Sequence, residues 1–100
     1  MPADVNTERP GNCRVFSLHS NFPNPFNATT RCSYSLAHES QVRLRVLDIT
    51  GAVRAVLVDE RQTGGTYTIP WDASRLSTGI YIIEMTADSF RAIHKAMLIK

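Results

Sequence analysis

The sequence predicts an all-β domain, an antiparallel sandwich of about seven strands, and three observations predict it. Apolar residues recur at every second position in run after run, as they do when one face of a strand is buried and the other wet. The runs are short and broken by turn-forming residues at intervals of about ten, the spacing of a sandwich. A lone tryptophan, Trp71, stands in phase with Tyr67 and Ile69, where such a core takes a large centrepiece.

One hundred residues with 43% hydrophobic and 20% charged content suit one soluble globular domain with one modest core. No apolar run is long enough to span a bilayer, and Met1-Pro2-Ala3-Asp4 lacks the basic-then-apolar pattern of a signal peptide. Neither a transmembrane segment nor an N-terminal export signal is expected, and the chain reads as a monomer. The net charge is only +2 and the nine arginines are scattered rather than gathered in one stripe, which argues against nucleic acid as a partner. Both lysines, Lys95 and Lys100, sit near the C-terminus.

Residues 1–12 combine Pro2, Pro10 and Gly11 with polar side chains and no periodicity, and read as a flexible linker or the ragged beginning of an expressed fragment. The domain is assigned to 13–100 and opens with a strand near 14–19. Asn21-Phe22-Pro23-Asn24-Pro25-Phe26-Asn27 follows. Each proline fixes its own φ and pushes the residue before it toward extended backbone, so neither helix nor central strand can form there. Phe22 and Phe26 are expected to plug one end of the sandwich, while the prolines withhold hydrogen bonds from any approaching strand. Asn27 is placed to cap the turn before the next strand, and the glycan-acceptor pattern Asn27-Ala28-Thr29 is read as chance.

Further strands are expected near 30–36, 42–48, 52–58, 66–71, 79–86 and 91–99. The clearest is 42–48, where Val42, Leu44 and Val46 alternate with Arg43 and Arg45. Gly51 then supplies a tight hairpin turn with positive φ, and Gln62-Thr63-Gly64-Gly65 makes a second turn. The stretch from Asp72 to Gly79 does not alternate and reads as a corner crossing between sheets. Asp72 is expected to accept amide protons two residues on, Leu76 to plug the core and Gly79 to take a backbone conformation closed to other residues. A tyrosine just past such a corner, here Tyr81, bonds its hydroxyl back to the corner in Ig-like sandwiches.

No chemistry assembles from these residues. No serine lies in a nucleophile elbow, and His19, His38 and His94 lie far apart without paired carboxylates. Asp59, Glu60 and Asp88 read as turn carboxylates. With no phosphate loop, no calcium-ligand spacing and no metal-like cysteine pattern, neither catalysis nor a cofactor or metal is expected. Cys32 shares its phase with Tyr34 and Leu36 and reads as a small core residue. The alternative, a bridge to Cys13, would contribute about 3 kcal/mol and suit an exported protein.

Taken in order, Phe16-Ser17-Leu18, the 21–27 segment, Thr29-Thr30, Tyr34-Ser35-Leu36, Val42 to Asp48 with Gly51, Trp71-Asp72-Ala73, Leu76, Gly79-Ile80-Tyr81 and Lys95-Ala96-Met97-Leu98-Ile99-Lys100 form a set. Residues 16–100 thereby resemble the type A C-terminal sorting domain of the type IX secretion system, also called the Por secretion system, an Ig-like module. The residues carrying the resemblance include Asn21, Pro23, Asn24, Pro25, Phe26, Asn27, Gly51, Trp71, Asp72, Gly79 and Tyr81. Arg31-Cys32 and Cys13 depart from the pattern and leave the role of the cysteines open.

The resemblance implies a removable address. A precursor carrying such a domain crosses the inner membrane, passes through the periplasm and is recognised by the outer-membrane translocon. A surface sortase commonly removes the domain, leaving the upstream cargo at the cell surface or released. The cut is expected between Gly11 and Phe16, where flexible backbone is accessible. Residues Lys95, Ala96, Met97, Leu98, Ile99 and Lys100 are the expected recognition site, on the reading that the last strand ends the chain and offers a free backbone edge. Two rivals remain at this stage: an Ig-like spacer or adhesion module, and a carbohydrate-binding module, which would need a row of exposed aromatics.

Overall fold

A computed structural model describes residues 15–100. Residues 1–12 and Cys13 lie outside that range. Among the described residues seven strands form two antiparallel sheets: β1 (Ser17–Leu18), β2 (Thr29–Leu36) and β5 (Gly65–Asp72) make one, in the order β1-β2-β5. β3 (Ser40–Asp48), β4 (Val53–Gln62), β6 (Gly79–Ala87) and β7 (Phe90–Leu98) make the other, in the order β4-β3-β6-β7. The all-β sandwich expected from the alternation is the fold found.

Strand parity sets the core. Val42, Leu44 and Val46 of β3 and Tyr81, Ile83 and Met85 of β6 face Cys32, Tyr34 and Leu36 of β2, all buried. Trp71 packs there too, 5.1 Å from the Phe26 ring and 6.0 Å from Tyr81. Three of the aromatics in question, Tyr34, Trp71 and Tyr81, are buried, while Tyr67 is half-buried and stacks on Tyr34. No row of exposed aromatics therefore lines a sheet among the described residues.

The turns follow the local chemistry. Asp48 accepts amide protons from Thr50 and Ala52 at 2.9 and 3.1 Å, and Gly51 takes φ +91°, a conformation that side chains resist. At the opposite end, a Cβ on Gly64 would meet the Cα of His38 at 3.2 Å, so glycine lets the two turns that cross between the sheets approach without either backbone giving way. Across the third crossing, Asp72 accepts the Ser74 amide at 2.9 Å, and the Tyr81 hydroxyl donates to the Ser77 carbonyl at 2.7 Å. Asp88 sits in the β6–β7 turn with φ +54°.

Four expectations fail. Asp59 and Glu60 are not turn residues but belong to β4, which runs four residues further than its apolar stretch because β3 supplies partners as far as Ser40–Gln62. Gly79 needs no special backbone: its φ is not positive, and a Cβ there would meet nothing within 4 Å. Phe22 is no plug, since 75% of it is exposed, whereas Phe26 is 2% exposed. The turn before β2 is closed by the main-chain carbonyl of Asn27, which accepts the Thr29 amide at 2.9 Å, with Ala28 at φ +74°.

Candidate functional site

The segment 21–27 is a strap joining the two sheets along one side of the sandwich. Phe22 exchanges two main-chain hydrogen bonds with Arg31, at 3.0 and 3.1 Å, and so lies beside β2. The chain then crosses through two cis peptides, Phe22-Pro23 and Asn24-Pro25, to run parallel to β7. There the Asn24 side chain donates to the Lys95 carbonyl at 3.1 Å and accepts the Met97 amide at 3.0 Å. Phe26 continues the pairing: its amide donates to the Met97 carbonyl and its carbonyl accepts from Ile99, both at 2.9 Å.

These bonds correct one expectation. The backbone edge of β7 is not free from Lys95 to Ile99, because the strap occupies it. Proline explains why the asparagine does this work with its side chain. Pro25 has no amide to offer a neighbouring strand, and a primary amide reproduces the donor and acceptor of a peptide at the same edge.

Further up β7, the seam is closed by His94, whose Nε2 lies 2.6 Å from the Leu18 carbonyl, and by Phe90, whose ring stacks on Phe16 at 5.6 Å. A two-residue β1 suffices there because side chains complete the closure. Asn21 anchors the strap from within. It is buried, and its Nδ2 donates to the Pro23 carbonyl and the Thr30 hydroxyl at 3.1 and 3.2 Å.

The motif residues scattered through the sequence meet at one end of the sandwich. Thr30, bonded to Asn21, pairs with Trp71, Gly79 pairs with Leu98, and Asp48, at the foot of the Gly51 turn, pairs with Tyr81. The proposed recognition residues divide in two: Ala96 and Leu98 are core, while Lys95, Met97, Ile99 and Lys100 are exposed. Lys95 has no ion pair among the described residues, and the Lys100 ammonium donates to the Ser74 carbonyl at 2.6 Å. The terminal strand thus shows a partner side chains and little free main chain.

Electrostatics on the outer face of the larger sheet centre on Glu84, which sequence reasoning missed. It points outward yet is buried, gripped by Arg45 from β3 and by Arg91, whose Nη2 lies 2.9 Å from its Oε2. The hydrogen bond from Arg45 is the largest influence holding its carboxyl below the usual glutamate range. The signal was long-range: Arg45 and Glu84 are cross-strand neighbours only once the β3–β6 register is known.

Cys32 is a free, fully buried thiol whose pKa burial pushes up to about 11. Cys13 lies outside the described residues. Among those residues no group of three or more His, Cys, Asp or Glu is placed to hold a metal. Among the described residues no helix is long and apolar enough to cross a membrane.

A family model described as a secretion system C-terminal sorting domain matches residues 20–100. No curated protein and no solved structure matches the chain. The matched span begins just before the strap and ends just past β7, so its two ends are the two segments that Asn24 and Phe26 tie together.

Proposed function

The chain belongs to the secretion system C-terminal sorting domain family, and on that premise we propose how it serves export. It is a sorting signal for type IX secretion, a route to the cell surface or the extracellular space. The outer-membrane translocon reads the folded domain from the periplasm at the tip of β7, through the side chains of Lys95, Met97, Ile99 and Lys100. A surface sortase then cuts between residues 11 and 16 and frees the upstream cargo, and the domain itself breaks no bonds.

The observation that carries this reading is the strap. With the main chain of 95–99 already paired, strand addition at that stretch is closed, and the outward side chains are what a receptor can reach. Deleting 95–100 would remove Ala96 and Leu98 from the core, so a truncation cannot separate recognition from folding. Point changes can. The test fuses the chain behind a periplasmic reporter in a host with this pathway and compares wild type with Lys95→Ala/Lys100→Ala. The variant should fold normally while the exported reporter falls, and mass analysis of exported cargo should place its new C-terminus within 11–16. Wild-type export by the folded variant, with the domain still attached, contradicts it.

A further inference from the structure

The two outer faces of the sandwich differ in chemistry. On the three-stranded side Ser33 bonds Thr68 at 3.2 Å and Ser35 bonds Thr66 at 3.3 Å, so hydroxyls line the middle of that face, with the exposed Arg31 and Asp72 in the same outward phase nearer its end. On the four-stranded side the registers line up Val53, Leu47, Ile82 and Lys95 in one row across all four strands. The next row pairs Ile80 with Met97, and the row on the other side runs Val56, Arg45, Glu84 and Ile93.

Of the nine large apolar side chains exposed among the described residues, six, Ile49, Val53, Val56, Ile80, Ile93 and Met97, belong to this face or its rim. Single exposed apolar residues are ordinary, but a contiguous block on one face marks an interaction site. Beside it a cleft of about 260 Å³ opens between Ile49, Arg54, Thr78 and Ile80, large enough for one side chain.

Charge limits what can cover the block. The outer positions of this sheet carry Arg43, Arg45, Arg61, Arg91 and Lys95 against Asp59 and Glu84, five cations to two carboxylates. Counting Glu39, which pairs with Arg61 from the adjoining turn, the cations still lead. Lys95 ends the central apolar row with no ion pair among the described residues.

Resting on the sorting reading above, we propose that this face docks a protein of the export machinery that presents an apolar strip bordered by carboxylates, one of its apolar side chains entering the cleft. The strap is consistent with that mode of contact. It blocks pairing along the terminal edge, which leaves the sheet face as the apolar surface on offer.

The test uses the full chain behind an exported reporter, with Val53→Glu and Ile80→Glu, neither of them in β7, and Thr68→Glu on the hydroxyl face as control. Thermal unfolding of each purified chain checks the fold, and Val53→Ser is the milder substitute if Val53→Glu does not fold. Expected is a loss of about tenfold in exported reporter for the folded face variants, with the control at wild-type level. Export of the folded face variants at wild-type level, or an equal loss in the control, overturns the docking face while leaving sorting intact. Failure of the wild-type fusion to be exported overturns the sorting reading and the docking face with it. Flotation of the purified chain with phosphatidylglycerol vesicles should show no binding, and binding lost in Val53→Glu would make the occupant a lipid surface and overturn a protein partner.

Discussion

The side chain of Asn24 stands in for a strand at Met97, accepting its amide at 3.0 Å while donating to the neighbouring Lys95 carbonyl at 3.1 Å. Both bonds are solvent-exposed, so each is worth about 0.5–1.5 kcal/mol. Asn24→Ala should lower unfolding stability by about 1–2 kcal/mol and speed amide exchange at Met97 well before it affects Met85. Unchanged exchange at Met97 would show that the strap does not hold the edge.

Phe26 and Phe22 separate sharply although each stands beside a proline, Phe22 before Pro23 and Phe26 after Pro25. Phe26→Ala removes a ring packed 5.1 Å from Trp71 and should cost about 3–5 kcal/mol. Phe22→Ala should stay within about 0.5 kcal/mol, because Phe22 pairs through main chain and its ring is exposed. Urea unfolding of the two variants checks both, and similar losses would contradict the strap as described.

Glu84 makes the fold acid-sensitive. Its carboxyl is held below the ordinary value of about 4.5 when folded, so its contribution is fully present above that value and is lost as pH falls through the lower folded one. Glu84→Gln should cost about 1–2 kcal/mol at neutral pH, less than a wholly buried pair because Arg91 is largely exposed. The variant should also lose less stability between neutral and acid pH than wild type. Parallel pH profiles would remove Glu84 as a cause of the acid slope.

Tyr81→Phe should cost about 1 kcal/mol, since it deletes the 2.7 Å hydroxyl bond to Ser77 that fixes the corner while keeping the ring against Trp71. Thermal unfolding gives the number. No loss would mean that the corner is held by its other contacts alone.

With its pKa near 11 and no solvent access, Cys32 should resist iodoacetamide in the native state of a Cys13→Ser variant and react on unfolding. Fast native labelling would contradict the packed position. In the unsubstituted chain, absence of titratable thiol after unfolding without reductant would show a bridge to Cys13.

Local chemistry made much of this fold legible. The alternation of Val42, Leu44 and Val46, the turn at Gly51, the Asp72 cap and the Tyr81 corner each depend on residues within a few positions. What the sequence hid was long-range. Nothing within the strap distinguishes Phe22 from Phe26, because their fates depend on β2 and β7 respectively. The Asn24–Met97 contact spans 73 positions and substitutes side chain for backbone, a pairing that strand periodicity does not reveal. The apolar outer face was half visible: Ile80, Tyr81, Ile82 and Ile83 are apolar in succession, so both faces of β6 had to be apolar. Knowing that the outward half stays uncovered required the sheet order.

Whether this domain directs export is decided by the fraction of a periplasmic reporter that reaches the cell surface or medium when the chain is fused to its C-terminus in a host with type IX secretion. Most of the reporter should be exported with the wild-type chain and less with Phe26→Ala, whose loss of core packing destabilises the address. Retention of the wild-type fusion in the periplasm, with the domain folded and intact, would contradict a role in export.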